Sequence, residues 1–141
     1  MELSKQVCSL ESANRLKELG VKQESLYLWE TGAIKPRIIL TFETKEALRV
    51  MNIYNYDTSD FREYSSAFTV AELGELLPGR VERNAKDYML QCLKHGNWEV
   101  KYVAYENGIG HVLDSHEVIQ WGEEAEARAK MLIYLLENKL I

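Results

Sequence analysis

Long apolar runs, cysteine and proline are scarce in this sequence, and each scarcity excludes a class of protein. The 141 residues include two cysteines and two prolines, and no apolar run approaches the roughly 20 residues that cross a bilayer. The first residues, "MELSKQVCSLESANRLKELG", lack the continuous apolar core of a signal peptide. Cys8 and Cys92 form neither a C-x-x-C motif nor a disulfide framework, which is typical of reduced, buried thiols. We therefore expect a cytoplasmic protein.

Motifs for nucleotides, metals and covalent catalysis are missing as well. Neither G-x-x-x-x-G-K-[ST] nor G-x-G-x-x-G occurs. The odd separation of Cys92 and His95 directs their side chains to opposite faces of a strand, and the same holds for the two histidines of "HVLDSHE". That stretch gathers four residues of the types that bind metals, His111, Asp114, His116 and Glu117, without the spacing of a zinc site. We expect no catalytic residue, no metal and no cofactor.

A positive field is also absent. The chain carries 17 basic and 22 acidic side chains, a net charge of −5, and neither the part before Val70 nor the part after it is basic. Nucleic-acid binding would then need a local patch. The hydrophobic fraction of 46% and charged fraction of 28% are ordinary for a globular protein, so residues 1–141 should form a single domain.

Both ends of the chain carry helical patterns. In "SLESANRLKELG", Ser9 is a suitable N-cap and Gly20 a suitable C-terminal residue in the left-handed region. The last segment, "GEEAEARAKMLIYLLENKLI", predicts a long amphipathic helix that covers a sheet or another helix and offers a possible homodimer seam. Its predicted apolar face contains Ala125, Ala129, Leu132, Ile133, Leu136 and Leu140.

A short central helix has the strongest local signal. Thr69 and Glu72 have the spacing of a capping box, with Phe68 and Leu73 as its hydrophobic staple, and Pro78 ends the helix near Leu77. From Pro78 onward the backbone is predicted to become sheet, with strands from about residue 88, although residues 80–93 also suit a helical face. "SLYLWE" and "RIILTF" predict two earlier strands.

These elements predict an α+β fold. A small antiparallel sheet of roughly four or five strands would pack against the N-terminal helix, the short central helix and the long C-terminal helix. The stretch "MNIYNYDTSDFREYSSAF", residues 51–68, is rich in aromatic and turn-forming residues and is consistent with an edge strand followed by a long loop.

Three segments resemble a known group of proteins. "SLESANRLKELGVKQESLYLW", "SAFTVAELGELLP" and "EAEARAKMLIYLLENKLI" are similar to small uncharacterised proteins encoded in bacteriophages and prophages. The resemblance covers roughly a third of the chain. It implies a cytoplasmic protein of bacterial or phage origin, and it brings no catalytic or ligand-binding residue to this sequence.

One of these segments also allows a DNA-binding interpretation. "TVAELGELLP" resembles the first helix of excisionase-like and MerR-like DNA-binding domains, so residues 69–89 would be a helix-turn-helix-like segment. Its candidate nucleic-acid contacts are Arg80, Arg83, Asn84 and Lys86. No Ser or Thr begins a second helix, and Pro78 stands where those domains have their turn glycine, which favours a helix packed on a sheet.

The aromatic run in the middle of the chain is the remaining candidate site. Tyr54, Tyr56, Phe61 and Tyr64 have the residue type that anchors protein partners, and the surrounding acidic residues argue against nucleic acid. The leading hypothesis is therefore a non-enzymatic interaction protein, a phage- or prophage-derived accessory factor that acts on a host protein. The alternatives are a small DNA-binding regulator and an enzyme of an unfamiliar class.

Overall fold

The protein has an α+β fold, as the sequence predicts. The computed structural model describes residues 2–32, 35–41, 63–114 and 119–141. The helices that lie wholly within these residues are a 3-10 helix, Leu3–Lys5, and three α-helices, α1 (Leu10–Glu18), α2 (Val70–Leu76) and α3 (Glu124–Glu137). The strands are β1 (Tyr27–Thr31), β2 (Arg37–Leu40), β3 (Glu63–Ser66), β4 (Arg80–Arg83), β5 (Lys86–His95), β6 (Asn97–Glu106), β7 (Ile109–Val112) and β8 (Ile119–Trp121).

The strands form two antiparallel sheets, where the sequence predicted one. The smaller sheet has the order β2-β1-β3, and the larger has the order β4-β5-β6-β7 with β8 also paired to β6. Helix α2 stands between β3 and β4 in the chain and separates the two sets of strands. Because β5 occupies one edge of β6, strands β7 and β8 lie end to end along its other edge.

Tight turns join the strands of the larger sheet. Asn107 and Gly108 connect β6 to β7 with φ of 52° and 78°, the two positive values of a type I′ turn. Gly96, with φ of 81°, joins β5 to β6. The prediction of sheet beyond Pro78 is confirmed, and the sheet begins with β4, ahead of the strand expected from about residue 88.

The two shorter helices begin where their caps predict. The Ser9 side chain accepts a hydrogen bond from the Ser12 amide at the start of α1, and Gly20 follows that helix with φ of 85°. At the start of α2, both hydrogen bonds of the Thr69–Glu72 capping box are present. A capping box satisfies amides that a helix end otherwise leaves unpaired, so a helix of seven residues starts at a defined position.

Helix α3 is the centre of the core. It contacts α1, α2, β6 and β8, and it is buried on more sides than an amphipathic pattern predicts. Ala125, Ala129, Leu132 and Ile133 are buried as expected, while Leu136 and Leu140 are only partly buried, and Ala127, Met131 and Leu135 are buried in addition. That apolar face packs against the chain's own elements, and the possible homodimer stays a prediction.

The smaller sheet is joined to this core through the N-terminal segment. The Trp29 indole on β1 donates a hydrogen bond of 3.0 Å to the carbonyl oxygen of Cys8, and Val7 pairs with Thr69 in an isolated antiparallel bridge. The residues ahead of α1 therefore contact β1 of the smaller sheet and lie next to the start of α2. Within the described ranges, no helix is both long and apolar enough to cross a bilayer.

Candidate functional site

Most of the predicted aromatic site lies outside the described residues. This applies to Tyr54, Tyr56 and Phe61. Tyr64 lies on β3 and is half-buried, and its carbonyl oxygen accepts a hydrogen bond of 2.7 Å from the Lys17 ammonium. On this evidence Tyr64 is part of a sheet that α1 covers in part, and its proposed role in partner binding stays a prediction.

The candidate nucleic-acid contacts all lie on the β4–β5 hairpin. No second helix follows α2, because residues 80–83 and 86–95 are strands, so the helix-turn-helix geometry is not formed. Asn84, proposed to read a base edge, occupies the tight turn with φ of 53°. The three cations each pair with a carboxylate: Arg80 with Asp87, Arg83 with Asp114, and Lys86 with Glu106.

The Lys86–Glu106 ion pair favours the charged form of both partners. The hydrogen bond to Glu106, 2.8 Å long, raises the pKa of Lys86, and the same bond lowers the pKa of Glu106. Hydrogen bonds from Tyr134 and then Arg83 lower the pKa of Asp114. A phosphate that approached the hairpin would have to displace these carboxylates, so the hairpin presents little uncompensated positive charge.

The histidines and cysteines are not gathered into a site. Cys92 packs against the core while His95 is exposed, as the odd separation predicts. Burial raises the pKa of the Cys92 thiol. His111 is exposed on β7, and His116 and Glu117 lie outside the described residues. In the part of the chain that the structure describes, no group of three or more His, Cys, Asp or Glu residues is placed to hold a metal ion.

Two tryptophans that the sequence analysis did not single out form the most distinctive surface. Trp98 on β6 pairs in register with Trp121 on β8. Cross-strand partners have Cβ atoms about 5 Å apart on the same face of a sheet, so the two indoles are neighbours. Trp98 packs partly against the core, whereas Trp121 leaves 48% of its surface exposed. An exposed tryptophan beside a second one is uncommon on a surface with no binding role.

Each tryptophan lies in a surface depression, and the two depressions share Glu123. Together they are the tryptophan groove. The first half has a volume of about 520 Å³ and is lined by Lys5, Gln6, Thr69, Val70, Ala71, Lys94, Trp98, Glu123 and Glu124. The second half has a volume of about 360 Å³ and is lined by Ser4, Val7, Ser9, Glu11, Trp121, Glu123, Glu126 and Lys130. Volumes of this order accommodate one or a few side chains of a partner.

A lysine ammonium lies over each indole ring. The Nζ of Lys94 is 5.4 Å from the centroid of the Trp98 ring, and the Nζ of Lys130 is 5.6 Å from that of Trp121. Both distances are within the range of cation–π attraction. Each indole ring therefore already has a cation of the same chain as its neighbour.

Glu126 is a buried residue that lines the second half of the groove. Its carboxylate, 6% exposed, accepts hydrogen bonds from the Ser9 amide at 2.8 Å, the Ser9 hydroxyl at 3.0 Å and the Ser12 hydroxyl at 2.7 Å. Glu126 is in the first turn of α3, and Ser9 is the N-cap of α1. A carboxylate is stabilised at such helix starts, so this contact ties α1 and the residues ahead of it to α3.

The groove could not have been found from sequence patterns. Trp98 and Trp121 are more than twenty positions apart, and no periodicity links them. Only the register between β6 and β8 brings them together, and the N-terminal wall depends on the Glu126 contact. The single available signal was Trp98 itself, a tryptophan among the strands predicted from about residue 88.

No family model, curated protein or solved structure matches this chain. The tryptophan groove is therefore assigned on its own geometry, with no residue role carried over from a relative.

Proposed function

We propose that this chain is a non-enzymatic interaction factor that binds a partner protein through the tryptophan groove. The observation that carries the proposal is the cross-strand pair Trp98 and Trp121, with 48% of Trp121 exposed at the edge of a two-part depression. The resemblance to phage- and prophage-encoded proteins supports an accessory factor that acts on a host protein.

The exposed indole has the size of a binding anchor. About half of a tryptophan surface of roughly 200–250 Å² remains in contact with water, and its burial at about 25 cal/mol per Å² would contribute roughly 2–3 kcal/mol. A contribution of that size is typical of an interface hot spot, and it corresponds to about a 30- to 150-fold change in affinity. A neighbouring depression allows a partner side chain to pack beside the ring and exclude water.

The opposite face of the larger sheet is a weaker candidate. It exposes Tyr105, with 65% of its surface accessible, and Met89. The Tyr105 hydroxyl accepts a hydrogen bond from Gln91, and the charges of that face are paired, as between Lys101 and Glu99 at 2.5 Å. This face is a matched control for the groove, because it also exposes an aromatic residue.

A displayed random-peptide library tests the proposal. The library is selected on the immobilised chain, and the selected peptides are then measured against Trp121→Ala and Tyr105→Ala variants whose unfolding midpoints match the wild type. We expect peptides whose affinity falls at least tenfold with Trp121→Ala and less than twofold with Tyr105→Ala. Selected peptides that ignore Trp121, or no selected peptides at all, would remove the groove as the binding site.

DNA binding is the competing proposal. It is supported by the location of Arg80, Arg83 and Lys86 on one exposed hairpin, and it is opposed by their ion pairs with carboxylates. Titration of duplex DNA at low salt decides between the two proposals. We expect a flat titration, whereas salt-sensitive binding that is lost in an Arg80→Ala, Arg83→Ala double variant would establish a DNA-binding regulator.

A further inference from the structure

The two halves of the tryptophan groove carry opposite free charges. In the first half, Lys5 and Lys94 form no ion pair with a described residue, while the carboxylate of Glu124 is bound by Arg128 at 2.6 Å. In the second half, Glu11 and Glu123 form no ion pair with a described residue. Glu123 also lines the first half, so the free charges are two cations and one carboxylate there and two carboxylates in the second half. Apart from Lys94, the described lysines and arginines of the larger sheet pair with carboxylates.

We infer that the partner presents a bipolar segment to this groove, with a carboxylate side chain for the end at Lys5 and Lys94 and a lysine or arginine for the end at Trp121, Glu11 and Glu123. The inference rests on the proposed function, and it names the chemistry of the partner at the same site. Charges arranged to complement a partner govern specificity and association rate more than total affinity.

The end at Trp121 suits a cation for two reasons. Its indole leaves 48% of its surface exposed, so a partner's cation can reach the ring in addition to the Lys130 ammonium at 5.6 Å from the centroid. Glu126 lies 3.7 Å from the Lys130 ammonium and is otherwise occupied by serine hydrogen bonds, which leaves Glu11 and Glu123 for an incoming cation. An arginine would combine stacking on the indole with hydrogen bonds to a carboxylate.

The end at Trp98 suits a carboxylate. The Lys94 ammonium lies 5.4 Å from the centroid of the Trp98 ring, and it forms no ion pair with a described carboxylate. Lys5, on the 3-10 helix, is exposed and lines the same depression. Two cations that line one depression of about 520 Å³ would attract an aspartate or glutamate side chain.

Selection with charge-reversed variants tests the inference. The same displayed library is selected on the wild type, on a Lys5→Glu, Lys94→Glu double variant and on a Glu11→Lys, Glu123→Lys double variant, and the pools are sequenced. We expect the wild-type pool to contain acidic residues at one end and basic residues at the other. The lysine-reversed variant should select basic peptides and the glutamate-reversed variant acidic ones, with at least tenfold enrichment over the wild-type pool.

A control separates local from overall charge. Lys22 and Lys139 are exposed and lie outside the groove, and a Lys22→Glu, Lys139→Glu variant changes the net charge as much as the lysine reversal in the groove. Its pool should match that of the wild type. If the wild-type pool depends on Trp121 but shows no bipolar preference, or if the control variant shifts it equally, the inference is wrong and the proposed function stands. If no peptide depends on Trp121, the proposed function fails.

Discussion

Asn84 and Ala85 form the turn between β4 and β5, and both have positive φ, 53° and 59°. The flanking residues Arg83 and Lys86 are paired in register, so the turn has two residues, and positive φ at both positions defines type I′. Asparagine tolerates this region of backbone conformation and glycine adopts it freely. Alanine adopts this region only at a cost in free energy, because its Cβ crowds the following carbonyl oxygen. The perturbation that this geometry suggests is Ala85→Gly.

The expected change is a small stabilisation. The left-handed conformation costs an L-residue about 1–2 kcal/mol, which glycine avoids. Glycine also makes the unfolded chain more flexible, at a cost of about 0.4–1 kcal/mol. Ala85 is exposed, so loss of its methyl group removes little packing. The balance is a gain of about 0.5–1 kcal/mol, which for a chain of this length is a rise of about 2–3 °C in the unfolding midpoint.

Thermal unfolding and urea titration measure this change, and a rise in the unfolding midpoint is the result that supports the type I′ turn. Ala71→Gly is the matched control. Ala71 is exposed on α2 in the ordinary helical conformation, where glycine should lower the free energy of unfolding by about 1 kcal/mol. If Ala85→Gly leaves the midpoint unchanged or lowers it, the β4–β5 turn is not type I′. The position of the hairpin cations relative to the sheet would then need revision as well.

Three further predictions concern buried polar groups. Glu126→Ala should lower the free energy of unfolding by about 2–4 kcal/mol in urea titration, because buried serine donors lose their acceptor. A loss below 1 kcal/mol would contradict the role of Glu126 in joining α1 to α3. Although burial favours the neutral acid, hydrogen bonds from the Thr69 and Leu26 amides hold the pKa of Glu72 below its usual value of 4.5. The ionised Glu72 carboxylate therefore contributes fully to stability above about pH 4.5, and this contribution is lost as the pH falls further. Glu72→Gln should flatten the decline in the free energy of unfolding between about pH 5 and pH 3. Burial raises the pKa of the Cys8 thiol to about 12, so iodoacetamide at pH 8 should label it only after unfolding, as peptide mass spectrometry would show.

Local signals were sufficient for the parts of the fold that short stretches of sequence determine. The capping box at Thr69 depends on two residues three positions apart, and the type I′ turn at Asn107 depends on one dipeptide. The predicted capping box is confirmed, because its two hydrogen bonds join residues only three positions apart. The helix after Ser9 and the sheet after Pro78 are confirmed for the same reason.

Features set by pairing between distant segments were not predictable. The division into two sheets depends on which strand edges meet, and hydrophobic alternation within one strand does not specify its neighbour. The wide burial of α3 arises because two helices and two strands surround it, whereas its pattern indicates a single apolar face. Trp98 and Trp121 become neighbours through one strand register, so their shared depression has no sequence signature.

The same long-range pairing explains why binding would be sensitive to the state of the whole fold. One wall of the tryptophan groove is the N-terminal segment, its floor is the β6–β8 pair, and its second half rests on Glu126 of α3. Each of these parts belongs to a different stretch of the chain, so the groove forms only when all of them are folded together. A local opening at Ser9 would move Glu11 away from Trp121 while leaving the indole in place. Apolar anchoring would then persist after the preference for a cation had been lost, so affinity and specificity at this surface depend on different parts of the structure.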